Sequence, residues 1–259
     1  MTDVPVIRAL LAVLGVLAAL AAGAPAAAAT DEPARSAASA AAHPTPPADP
    51  AAPPPFNLAW LRASVVSVLQ AERARAGLTA DEVPPAGAGR VVVVPGTVPA
   101  PREAADVRTV RVEVEDGLPV DGAAFAGYVM EVLNDPRSWG ADGTLAFART
   151  DGAADVRVLL ASPDLTDRLC YPLRTLGQVS CATGGAAVLN VRRWSDGAAP
   201  FTAAGGTVSE YRRYLVNHEV GHVLGHGHAR CPGTGELAPV MVQQTLDLQG
   251  CRPNGWPAP

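Results

Sequence analysis

The sequence predicts an α/β domain, a mixed sheet carrying helices, set behind an exported leader. Three observations carry this. Short apolar or alternating runs and stretches of helical periodicity follow in the order strands, helix, strands, helix. One long apolar run opens the chain, and an Ala/Pro-rich stretch follows it. Four cysteines, an even number, lie beyond that stretch.

Composition sets limits on this domain. Hydrophobic residues make up 48% of the 259 but aromatics only 5%, so the core must be built from Ala, Val and Leu. The 25 Gly and 25 Pro call for much loop or linker. The net charge is −5, and all 20 basic residues are Arg with no basic block among them. That excludes nucleic acid as the main partner, because neutralising phosphates needs clustered positive charge.

In chain order, residues 4–29 combine one Arg, an apolar run and small residues, the pattern of a signal peptide cleaved near Ala29. The run is also close to the roughly 20 residues that cross a bilayer. An uncleaved signal anchor, holding the chain to the membrane through residues 5–29, therefore stays open. Either reading puts the remainder outside the cytoplasm, secreted or at the cell surface. Residues 30–87 read as an Ala/Pro-rich linker with a helix over 56–76. Over 30–55 there is too little large apolar surface for the segment to order itself, and His43, which lies there, is given no role.

The domain is expected over 88–259. Strands are expected at 90–94, 107–116, 144–150, 156–162 and 186–194. A helix is expected at 121–134 with Asp121 as its N-cap, and a last helix begins at Ser209, a candidate cap. The cysteines allow three pairings. The local one, Cys170–Cys181 with Cys231–Cys251, closes short loops. A four-cysteine zinc site competes with it but lacks any C-x2-C spacing.

Four of the five histidines fall between 218 and 228. His218 and His222 are i and i+4, so on a helix they leave one face a turn apart and can share one zinc ion. Glu219 sits beside the first of them, displaced around the axis, where it can reach a water without ligating the metal. His226 would continue the series, but it lies about 12 Å from His218 along a straight helix, too far for bonds near 2 Å. Gly225 offers a left-handed turn that ends the helix and brings His228 back as third ligand. His226 is left to the surface or to supporting the ligands. Met241 follows His228 and can floor the site. The Cys231–Cys251 bridge would pin its loop, contributing about 3 kcal/mol.

The pattern His218-Glu219-x-x-His222-x-x-Gly225-x-x-His228 resembles the metzincin zinc peptidases, and Met241 resembles their Met-turn. Over about 88–259 the chain also looks like an uncharacterised family of secreted, zincin-like actinobacterial proteins. The segments RTVRVEVEDGL at 108–118, NDPRSWG at 134–140, YRRYLVNHEVGHVLGHGHARCPG at 211–233, APVMVQQT at 238–245 and GCRPNGWP at 250–257 carry that likeness. The resemblance implies a zincin-like fold: a twisted mixed sheet, an active-site helix, a backing helix and an irregular, disulfide-pinned C-terminal subdomain. It also implies hydrolysis of a protein or peptide substrate, by a monomer, with substrate paired to an edge strand. Some metzincins carry Tyr where this chain has Gln243. Both Gln243 and Gln244 are expected at the surface; facing the cleft, either amide could instead donate to the oxyanion.

The expected chemistry is zinc-assisted attack of water on a peptide carbonyl, with Glu219 as general base. The strand at 186–194, which includes Asn190 and Trp194, is the expected substrate edge. A zinc amidase acting on cell-wall peptides would use the same residues. A noncatalytic, zinc-stabilised binding domain would need a fourth protein ligand.

Overall fold

The computed structural model describes residues 58–259. The signal or anchor segment over 1–29 and His43 lie outside the described residues. Among the described residues no helix is long and apolar enough to cross a membrane.

A helix α1 spans Leu58–Arg75, and strands β1 (Val91–Val93) and β2 (Asp106–Glu115) follow. Next come α2 (Gly122–Leu133), β3 (Leu145–Arg149), β4 (Val156–Ala161) and α3 (Pro163–Cys170). The chain continues through β5 (Cys181–Thr183), β6 (Ala186–Asn190), two short helices α4 (Val191–Asp196) and α5 (Ala199–Ala203), and α6 (Val208–Val223). The strands form one mixed sheet ordered β1-β2-β4-β6-β5, with β3 also on β2. The pairs β2–β3, β2–β4 and β4–β6 are parallel, while β1–β2 and β5–β6 are antiparallel. The chain is thus an α/β protein with a mixed sheet.

Residue alternation explains which face goes where. Val110, Val112 and Val114 of β2, with Val156, Val158 and Leu160 of β4, point into the main core with α2 and α6. Leu159, Ala161, Ala186 and Val188 point the other way and are covered by Leu165 and Cys170 of α3. Buried on both faces, β4 and β6 read as apolar runs rather than alternations. Asp121 caps α2 by accepting from the Ala124 amide, as its sequence position suggests.

Three expectations need correction. The run at 186–194 is not one strand. Asn190 ends β6 and caps α4 through the Arg192 amide, so the chain turns helical at Val191. Trp194 is fully buried and packs edge-on against Phe125 and Tyr128. Nor is β6 the sheet edge, because β5 pairs outside it. The third correction is the cap of α6. It is Thr207, in a reciprocal capping box with Glu210, and Ser209 lies inside the helix. Residues ahead of 88 also join the main body: Ala76 and Leu78 are core residues, and the Trp194 indole donates to the Ala76 carbonyl at 2.9 Å.

Candidate metal centre

The site begins with how tightly α6 is gripped. Gly221 has no side chain, and a Cβ there would stand 2.5 Å from Trp139 and 2.7 Å from the Met241 sulfur. Its absence lets both residues close on the helix. Met241 is buried in the main core. The helix then stops at Leu224. Gly225 takes φ +96°, its amide donates to His222 O at 3.0 Å, and the His226 amide donates to Gly221 O at 2.9 Å. That pair of bonds is a Schellman ending with glycine at the left-handed position. It reverses the chain and brings His228 back toward the helix.

Three ring nitrogens converge as a result. His222 Nε2 lies 3.3 Å from His218 Nε2 and 3.1 Å from His228 Nε2. Their tautomers follow from their other partners. His218 Nδ1 lies 2.9 Å from the Val240 carbonyl, and His222 Nδ1 lies 2.8 Å from the His226 carbonyl. A carbonyl only accepts, so both Nδ1 atoms carry the proton and both Nε2 atoms present lone pairs. Lone pairs that close repel one another unless a cation lies between them. Ligands about 2.1 Å from a tetrahedral zinc ion stand about 3.4 Å apart, close to the spacing here. His218, His222 and His228 can therefore hold one metal ion.

The electrostatics agree. Burial first, then the neighbouring His222 and His228, pushes His218 down to about 3, against the opposing pull of its bond to Val240. Burial and then His222 also lower His228. Both shifts keep the rings neutral, which ligation requires. Burial alone pushes Glu219 up to about 8. Among the described residues its carboxylate has no hydrogen-bond partner, and it lines the same cavity as the three histidines. His226 stands outside this group of three. It is exposed, its ring stacks on Trp139 at 4.2 Å, and its carbonyl orients His222.

The cavity holds about 670 Å³. One wall is α6, with Tyr214, His218, Glu219 and His222. The opposite wall is the segment 173–185, which includes β5, and a third is 243–246. Neither Asn190 nor Trp194 lines it. Both disulfides form as the short-loop pairing requires, Cys170–Cys181 and Cys231–Cys251, and both loops contribute to the walls.

One protein family, described as a protein of unknown function (DUF3152), matches residues 78–259. The chain belongs to this family. No curated protein and no solved structure matches it.

The surroundings of the three histidines in this DUF3152 member have features that the motif alone did not reveal. The edge hairpin is one. Gly184 and Gly185 take φ +54° and +75° between β5 and β6, the backbone of a two-residue type I′ turn. A Gly-Gly pair flanked by short apolar runs is a signal for it in the sequence. Trp139 is another, donating its indole N–H to Asn217 O at 3.0 Å while stacking on His226. The two glutamines also divide. Gln243 is exposed on the cavity, whereas Gln244 is fully buried, exchanging bonds of 2.8 and 2.9 Å with the Asn254 backbone. The expectation of two surface glutamines fails for Gln244 because its amide replaces a missing backbone partner in an irregular loop.

Proposed function

We propose that the chain is an exported, zinc-dependent endopeptidase with a zincin-like domain, and that His218, His222 and His228 hold the metal. One observation carries the reading: two bare imidazole nitrogens fixed by carbonyl partners, a third brought in by the Gly225 turn, and an unpaired carboxylate beside them in an open cleft. Two disulfides fit an oxidising compartment outside the cytoplasm.

Zinc bound there would supply a Lewis acid and lower the pKa of a coordinated water toward about 7. The protein's own groups do the rest. Val240 O and His226 O fix two imidazoles in the ligating tautomer and orientation. Burial alone would keep the Glu219 carboxyl protonated near neutral pH, but a cation held by the neighbouring histidines favours its ionised form. In that form it takes a proton from the attacking water on a carboxylate oxygen, then gives it to the departing amine nitrogen. Substrate lies along β5, whose outer edge pairs with no other strand among the described residues. Extended peptide adds there through main-chain hydrogen bonds. The substrate edge is thus Cys181–Thr183 rather than 186–194.

The test is Glu219→Gln in the zinc-loaded chain. Zinc content should stay at one ion per chain, while cleavage of a denatured protein falls by roughly 10²–10⁴. Turnover equal to that of the parent chain removes Glu219 from this role. Turnover of peptidoglycan fragments with no cleavage of protein moves the reading to an amidase.

A further inference from the structure

The segment 171–180, between α3 and β5, is built in an unusual way for a loop facing water. Leu173 is 55% exposed and Leu176 is 70% exposed, and both line the cavity. From the third wall Leu246, 57% exposed, lines it too. Loops normally present polar side chains, and grouped exposed leucines mark a contact surface.

The loop holding two of these leucines is fixed. The Cys170–Cys181 disulfide closes its ends. Asp167 Oδ1 accepts from both Thr175 Oγ1 and the Gly177 amide, the latter at 2.7 Å. The Gln178 amide donates to Thr175 O at 2.8 Å, and Arg193 donates to the Gln178 side chain at 2.7 Å. Thr175 and Gly177 are buried, so the residue between them is turned outward. That residue is Leu176, at φ +53°, a left-handed backbone that leucine seldom adopts. One carboxylate oxygen thus straddles Leu176 and holds it in a strained, exposed position on the rim of the cavity. Strain of this kind persists only where surrounding bonds impose it, and it clusters at ligand clamps.

The occupant follows from what surrounds the leucines. Among the described residues, Arg174 is the only charged residue lining this cavity apart from Glu219 and the histidines. The open edge of β5 lies on the same wall, presenting unpaired main-chain groups. A ligand that satisfies both is an extended polypeptide with a large apolar side chain. We propose that Leu173, Leu176 and Leu246 form a clamp that selects a large aliphatic or aromatic side chain of a polypeptide lying along β5, with Leu176 as the specificity-determining contact. The clamp deepens the peptidase reading and rests on it for the cleavage step, but not for binding.

The experiment uses the full exported chain loaded with zinc, carrying Glu219→Gln so that nothing is consumed. Fluorescent peptides identical except for Leu, Phe, Ser or Asp at one scanned position are titrated against it. The Leu and Phe peptides should bind about tenfold tighter than the Ser and Asp peptides at one position of the scan. Leu176→Asn, a residue at ease at positive φ, should erase that preference at unchanged zinc content. In the parent chain kcat/KM should rank the peptides in the same order. Equal binding of all four peptides at every position overturns the clamp, as does a preference that survives Leu176→Asn. Selective binding without cleavage by the parent chain keeps the clamp and sinks the peptidase reading. Cleavage without selectivity does the reverse.

Discussion

Two disulfide-closed loops contribute to one cavity, and they differ in what they hold. The loop closed by Cys231–Cys251 carries Val240, whose carbonyl sets the His218 tautomer, and Met241, which packs on Gly221. It has its own small core of Ala238, Val242 and Cys251, and Gln244 and Asn254 cross-link its backbone. The loop closed by Cys170–Cys181 makes none of the hydrogen bonds that orient the histidines. It presents leucines and leads into the edge strand. One loop therefore orients His218 of the histidine cluster, and the other forms the facing wall of the cavity. A single fold can vary the second while keeping the first, which is how sites with one chemistry acquire different substrates.

The sharpest way to break this comparison is to remove a ligand. His222→Ala should abolish zinc binding and activity together, since two imidazoles remain of three, whereas Leu176→Asn should leave zinc content unchanged. Metal analysis of both variants checks it, and loss of zinc in the leucine variant would merge the two roles. Opening the disulfides comes next. On loop length alone each contributes about 3 kcal/mol to stability, so both Cys→Ser pairs should lower the melting temperature. Only the Cys231→Ser/Cys251→Ser pair should also weaken zinc, by about 10–100-fold, because Val240 loses its fixed position. Competition with a chelator measures that split.

A smaller effect is expected from the support of His222. Trp139→Ala removes the ring that His226 stacks on and should weaken zinc about tenfold in the same chelator competition, and it should also lower the melting temperature because the ring packs on α6 at Gly221. The smallest is a pH effect in the metal-free chain. His218 titrates at about 3 when folded and near 6.5 when unfolded. The unfolded chain therefore takes up this proton first, but Glu219, held at about 8 when folded and near 4.3 when unfolded, acts in the opposite sense above about 4.3, so the decline in stability should show between about 4.3 and about 3. Denaturant titrations across that range should show the slope, and His218→Asn should flatten it.

The two regions also differ in how legible they were. The histidine helix could be read because i, i+4 spacing and a helix-ending glycine are local properties of the chain. The paired cysteines likewise close loops of 11 and 20 residues, within reach of local reasoning. The edge hairpin was missed because β5 has three residues, too few to show a period, and its Gly-Gly turn was the only signal. Asn190 misled because β6 and α4 join without a break, so VRRW seemed to extend the strand when it begins a helix. Trp139 could not be found at all, since its bond to Asn217 spans 78 residues and depends on how α6 packs. Leu176 carries no mark in the sequence, because its exposure comes from a carboxylate nine residues upstream.

The central claim is that three Nε2 atoms hold one zinc ion and leave a position open to the cavity. Zinc-edge X-ray absorption on the full chain tests it most directly. The account predicts three imidazole nitrogens, recognised by the multiple scattering of their rings, and one non-protein oxygen ligand at about 2.0–2.1 Å. Four protein ligands at the metal, or a chain that retains no zinc at micromolar concentration, would contradict it.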